Sequence, residues 1–281
     1  MNKKRPVVVA LILAGFLVWT PARAFSPGQS SPEDSSEPSR LNGAFLKSAA
    51  RDVGRVITSP ARWKERDWIT FALLAGTGTV LFAFDGRVYD SVQDHKSRFT
   101  VDLSPYISKL GKGTYLAALI AALYASGEIF KSPGLRGTAL LSLESFLTTS
   151  AIVLTLKEVT GRARPYTGES PTSFFPFSFK AENRSFPSGD AAGAFAVATV
   201  IADRSDSVLV DALSYGLAGL VAVYRVHDRY HWPSDVFAGS ALGFFIGKKI
   251  SGLKKDQPDG KYHLAFQFTP RRQCLTLTVA F

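Results

Sequence analysis

Six stretches of this chain are almost free of charge: residues 68–84, 113–127, 137–156, 191–202, 212–224 and 236–247. They are rich in Ala, Leu and Gly and do not alternate apolar with polar, which argues for buried helices rather than half-buried strands. A chain built this way folds as helices packed on one another, on lipid, or on both. The expected fold is therefore all-α, a six-helix core bundle. The first and third stretches approach the roughly 20 residues needed to span a bilayer, although the third contains Glu144. The last three hold only 12 or 13 residues each, about 20 Å of helix. The short, charge-interrupted later helices favour shallow placement over six full spans.

The flanks read differently. Residues 1–24 have the layout of a secretory signal: Lys3, Lys4 and Arg5, an apolar run from Val7 to Trp19, then Ala22-Arg23-Ala24. Residues 25–40 are a Ser/Pro-rich linker with too little apolar surface to fold. Residues 41–66 hold an amphipathic helix and a connection, and 67–250 form the main helical domain. Residues 262–281 alternate around Pro270-Arg271-Arg272, a β-hairpin signal. The single Cys274 excludes a disulfide framework and a multi-cysteine metal site. The formal charge of +10 points to an anionic partner. Removing residues 1–24, which carry four basic residues and no acid, would leave +6. Export and the scattered basic residues argue against nucleic acid.

Three short segments concentrate the unusual residues, each at the end of an apolar run. The first, residues 157–165, gathers Lys157, Arg162 and Arg164, where cations also suit a helix C-terminus. In the second, residues 186–191, Ser188 is a good N-cap and Gly189 permits close approach, so the first-turn N–H groups offer an anion site. The third, residues 224–235, crowds Arg225, His227, Arg229, His231 and Asp235 together. An Asp bonded to His231 would fix its tautomer and free the other ring nitrogen as a base or nucleophile. The spacing of His227, His231 and Asp235 also suggests a metal site, but Trp232-Pro233 interrupts any single helix through all three. Together the segments describe a dianion pocket with a nucleophile, which is most of what phosphoryl transfer needs.

In order and spacing the three segments resemble the signature of the type 2 phosphatidic acid phosphatase superfamily. Its members include lipid phosphatases, class A acid phosphatases and vanadium haloperoxidases. The match is Lys157, six residues, Arg164-Pro165; then Pro187-Ser188-Gly189; then Arg225, five residues, His231, three residues, Asp235. The resemblance implies that His231 attacks phosphorus to form a phosphohistidine and that Asp235 orients it. Lys157, Arg164, Ser188, Gly189 and Arg225 would bind the phosphoryl oxygens, with no metal and no cofactor. Two positions depart from the pattern. Tyr224 stands where a Ser usually precedes the arginine, and Asp190 stands where the family has the histidine that protonates the leaving group. Asp190 is then a weaker general acid, favouring acidic pH or good leaving groups such as diphosphates. Two alternatives are a phosphate-binding homologue with little catalysis and a vanadate-dependent haloperoxidase.

The loop 166–186 carries six aromatics, which either pack it down or form a lip that receives lipid tails. Basic residues flank the helices near positions 62–66, 131–136 and 248–255, which places the motifs outside the membrane by the positive-inside rule. A cleaved signal followed by six spans would place them inside. An extracytoplasmic, periplasmic-side site is the expectation adopted, in a protein that is membrane-integral or membrane-associated and acts on a phosphorylated, lipid substrate.

Overall fold

The computed structural model describes residues 40–253 and the backbone of 262–269 and 272–279. The expected signal and all but the last residue of the expected linker lie outside the described residues. Eight helices follow in order: α1 Gly43–Ile57, α2 Glu65–Asp94, α3 Arg98–Leu110, α4 Gly113–Ile129, α5 Pro133–Thr160, α6 Gly189–Asp203, α7 Val208–His227 and α8 Pro233–Leu253. Each of the six apolar stretches falls within one of these helices, and α1 covers the expected amphipathic segment. Helix α3 was not anticipated: its apolar residues are interleaved with polar ones, and Pro105 sits inside it. Two strands, β1 (Tyr262–Thr269) and β2 (Arg272–Val279), pair antiparallel, with Tyr262 opposite Val279 and Thr269 opposite Arg272.

The helices begin and end where their termini find partners. The Asn42 side chain accepts from the Phe45 amide at α1, and Ser132 caps α5 ahead of Pro133. Helix α5 stops at Gly161, whose φ of 59° is left-handed. A Cβ there would lie 1.9 Å from the Phe175 carbonyl oxygen, so only glycine admits the following loop.

Helix α6 lies at the centre, packed against α5, α7 and α8. Six of its 15 residues are Ala, and those from Ala191 to Val200 are all buried. Small side chains here let backbones approach closely. The partner surface on α8 is a stripe of Gly239, Gly243 and Gly247. A Cβ on these would come within 2.3 Å of the Ser188 carbonyl, 2.0 Å of the Ala192 carbonyl and 2.8 Å of Thr199 Cβ, respectively.

Helices α2, α5, α7 and α8 are long and apolar enough to cross a membrane, while α4 is a shorter apolar helix. Of the three later helices, α7 and α8 are thus longer than their uncharged stretches suggest, whereas α6, with 15 residues, stays short. Arg225 and His227 fall inside α7, and Asp235 and Lys248 inside α8, extending them to 20 and 21 residues, about 30 Å. Large apolar side chains face outward, including Leu73 at 68% and Leu209 at 67% exposure. An apolar surface of this kind belongs in lipid. Helices α2, α5 and α7 finish, and α4, α6 and α8 begin, at one end of the molecule. All three motif segments meet there.

Candidate active site

Chain order explains the convergence. The first segment leaves the C-terminus of α5, the second enters the N-terminus of α6, and the third bridges α7 to α8. Lys157, in the last turn of α5, is buried and donates from Nζ to the Arg184 carbonyl at 2.6 Å. A Cβ on Gly189 would meet Lys157 Cε at 3.6 Å, so the first and second segments are in contact. Ser188 is fully buried and caps α6, while its own amide donates to the Asp235 carbonyl at 2.9 Å, joining the second segment to the third.

His231 is 3% exposed. Its Nδ1 lies 2.7 Å from the Ser185 carbonyl oxygen. A carbonyl only accepts, so Nδ1 carries the proton and Nε2 keeps its lone pair. Burial, then the charges of Lys157, Arg164 and Arg225, push the imidazole pKa well below its ordinary value, against the opposing bond to Ser185. The ring is therefore neutral at neutral pH, the state a nucleophile requires.

Asp235 was expected to orient His231 directly, but its nearest oxygen is 3.9 Å from Nδ1. Its carboxylate is occupied elsewhere. Oδ2 accepts from Ser185 Oγ at 2.5 Å and from the Trp232 amide at 2.9 Å. Oδ1 accepts from Arg162 at 2.5 Å. Asp235 thus fixes both Ser185, which holds His231, and the backbone next to His231. Arg162, read from sequence as one of several cations at a helix end, is fully buried. Its guanidinium also pairs with Asp85 at 2.6 Å and donates to Ser234 Oγ and the Pro171 carbonyl. Asp85 in turn accepts from Ser234, through its amide at 2.8 Å and its hydroxyl at 2.5 Å. Asp85, Ser185 and Ser234 escaped the sequence reading. The one available signal for Asp85 was that it is the first acid after the uncharged stretch 68–84 of α2.

The rest of the site opens on a cavity of about 490 Å³, whose lining includes Lys109, Lys112, Arg164, Asp190, Arg225 and Tyr230. The Tyr230 ring lies 5.6 Å from the Arg164 guanidinium carbon and 5.2 Å from that of Arg225. Asp190 forms an ion pair with Arg225 at 2.6 Å, engaging the cation that the resemblance assigns to phosphate. His227 turns away, its Nδ1 2.8 Å from Asp228. Burial raises the Asp228 pKa, but bonds from His227, Ser104 and Ser108 and the charge of Arg225 outweigh it and hold it below the ordinary value. Among the described residues no three His, Cys, Asp or Glu side chains cluster as metal ligands.

In the aromatic loop, Phe174 packs against Phe82, with centroids 6.2 Å apart. Phe177 and Phe179 project outward at 63% and 66% exposure. Both hold left-handed backbone, with φ of 58° and 55°, which bulky residues rarely adopt without a compensating role.

Comparison with known proteins places this architecture. The family model of the PAP2 superfamily matches residues 138–256. Lipid A 1-phosphatase of Porphyromonas gingivalis is 36% identical over 81 residues, 27% of this chain and 18% of that protein. The chain therefore spans less than a fifth of that relative. The crystal structure of Aquifex aeolicus LpxE superposes with a TM-score of 0.50 at 24% identity, over 61% of this chain and 95% of that one. A transmembrane PAP2 type phosphatidylglycerolphosphate phosphatase from Bacillus subtilis superposes with a TM-score of 0.51 at 22% identity, over 67% and 97%. Residues 138–256, the part of the chain that matches the PAP2 superfamily model, carry all three motif segments.

Proposed function

We propose that this chain is a membrane phosphatase that removes a phosphoryl group from a lipid monoester or diphosphate through a phosphohistidine at His231. The observation that carries the reading is the buried, neutral His231, with its Nδ1 proton committed to Ser185 and three cations around it. Nε2 attacks phosphorus, the leaving oxygen departs, and water then cleaves the phosphorus–nitrogen bond to release phosphate. Lys157, Arg164 and Arg225, with Ser188 and the Gly189 amide at the start of α6, receive the charge on the phosphoryl oxygens. Neither metal nor cofactor has a part in these steps. Asp235 and, as leaving-group acid, Asp190 complete the machinery. A carboxyl ordinarily ionises near 4 and protonates an alkoxide leaving group poorly at neutral pH. Exposed Phe177 and Phe179 support the reading of the loop as a lip for lipid tails. The basic flanks lie at the end of the helices opposite the site, which supports a periplasmic-side active site. The six apolar helices form the core, and the terminal strands a hairpin.

The Asp190–Arg225 pair favours a second reading, a homologue that binds phosphate with little turnover. Phosphate release from lipid monophosphates, lipid diphosphates and an aryl phosphate, with excess EDTA and with His231→Ala as the blank, separates the two. Release that survives EDTA and disappears in the variant supports the phosphatase. No release from any substrate supports the binding protein.

A further inference from the structure

We propose that Lys109 and Lys112 form a second anion subsite on the leaving-group side of the cavity, and that the substrate is a lipid diphosphate. The inference rests on the phosphatase reading above and names its substrate class.

Both lysines line the cavity that Arg164 and Arg225 reach from the motif side. The two acids lining it are engaged: Asp190 with Arg225, and Asp228 with His227, Ser104 and Ser108. Among the described residues no carboxylate pairs with Lys109 or Lys112. Nor does helix electrostatics explain Lys112. It is the N-cap residue of α4 and makes no side-chain capping bond, and a cation at a helix N-terminus is unfavourable. An anion bound there would meet the lysine and the positive end of α4 together. A further observation comes from the motif side, where Arg225 has a side chain only 4% exposed and its Nε has no hydrogen-bond partner.

The position of the lysines sets their role. Gly111, between them, is so close to Asp190 that an added Cβ would lie 3.1 Å from the Asp190 Cβ. Residue 190 is where the resemblance places the acid that serves the leaving group. Segment 109–112 therefore borders the leaving group rather than the attacking imidazole. The volume of about 490 Å³ far exceeds a single phosphoryl group, given about 30 Å³ for one water.

The chemistry follows. Nε2 of His231 attacks the terminal phosphorus, and the bond from that phosphorus to the bridging oxygen breaks. The electron pair stays on the bridging oxygen, now part of a departing lipid monophosphate. A phosphate ester takes its second charge at a pKa near about 6, whereas an alkoxide approaches the basicity of hydroxide, about 15.7 for its conjugate acid. The departing phosphate needs cations more than a proton, and Lys109 and Lys112 provide them. This accounts for a carboxylate at position 190. Water then attacks the phosphohistidine, giving inorganic phosphate, neutral His231 and a proton released to solvent.

The test compares farnesyl diphosphate with farnesyl monophosphate in detergent, using wild type, Lys109→Gln, Lys112→Gln and the double variant. Both lysines are exposed, and elution as a folded species controls for misfolding. Wild type is expected to prefer the diphosphate. The double variant should lose about tenfold or more in kcat/KM on the diphosphate, the scale of losing charge-assisted contacts, and less than about threefold on the monophosphate. Pyrophosphate should inhibit wild type more strongly than phosphate does, and the variant should lose that difference. Turnover without a diphosphate preference, or equal losses on both substrates, overturns the subsite and leaves the phosphatase reading standing. Turnover of neither substrate by wild type overturns both.

Discussion

Replacing Arg162 tests whether the active site is held by a buried charge network. Its guanidinium makes five contacts at 2.5–2.9 Å, to Asp85, Asp235, Ser234 and twice to the Pro171 carbonyl. Arg162, Asp85 and Asp235 are all fully buried. Arg162→Leu leaves two carboxylates without a cation, and breaking a buried pair from one side costs about 3–5 kcal/mol. The expected fall in Tm, read by thermal unfolding in detergent, is about 6–20 °C for a chain of this size. Arg162→Lys keeps the charge, but a single ammonium cannot bridge both carboxylates and Pro171, so it should recover only part of the loss. Asp85→Leu combined with Arg162→Leu should cost less than the sum of the two singles by more than about 0.5 kcal/mol, the scatter seen for independent sites. Activity should fall in Arg162→Lys even where the protein stays folded, because Asp235 holds both Ser185 and the Trp232 amide. A wild-type Tm for Arg162→Leu, or additive effects in the cycle, would refute the network.

Other tests address different parts of the fold. Gly243→Val should abolish accumulation of folded protein, since even a Cβ would sit 2.0 Å from the Ala192 carbonyl; Gly252→Ala, with nothing within 4 Å, should be tolerated. Size-exclusion profiles in detergent distinguish the outcomes, and equal profiles would remove the glycine stripe as the reason α6 and α8 touch. Phe177→Ser with Phe179→Ser should impair hydrolysis of a long-chain lipid phosphate and spare a soluble aryl phosphate; equal losses would reject the lip. Because the His231 pKa is lowered, its imidazole stays unprotonated through neutrality. Loss of kcat/KM attributable to its protonation should therefore appear only below about pH 6.5, the ordinary value for histidine. A half-loss at or above that pH assigned to His231 would contradict its environment.

The sequence made the motif segments legible because each is a run of neighbours whose chemistry survives being read in order. It also revealed the apolar helices, whose composition differs sharply from their flanks. The support beneath the site was hidden by distance along the chain. Asp85 lies 77 residues from Arg162, and Ser185 lies 50 from Asp235. Nothing about an Arg beside a helix-ending glycine distinguishes a surface cation from one wholly enclosed. The role given to Asp235 was displaced for a related reason: a backbone carbonyl, that of Ser185, took the imidazole proton, and backbone groups leave no mark in a sequence. Helix α3 went unread because its mixed polarity and internal Pro105 look like a connection. Its Ser104 and Ser108 nonetheless bind Asp228, and its C-terminal end borders the cavity.

The alternating direction of the helices has a consequence for the catalytic cycle proposed above. Because α4, α6 and α8 all start at the site, three peptide dipoles point their positive ends into one small volume, each equivalent to roughly half a charge. Unlike histidine or aspartate, this field has no proton to gain or lose, so acidity cannot switch it off. In the phosphatase proposed above, it would draw in the substrate and would also hold the small dianion left after hydrolysis. Turnover in such an enclosure depends on how readily inorganic phosphate escapes, which makes the closing step of the cycle as much a matter of helix direction as of bond cleavage.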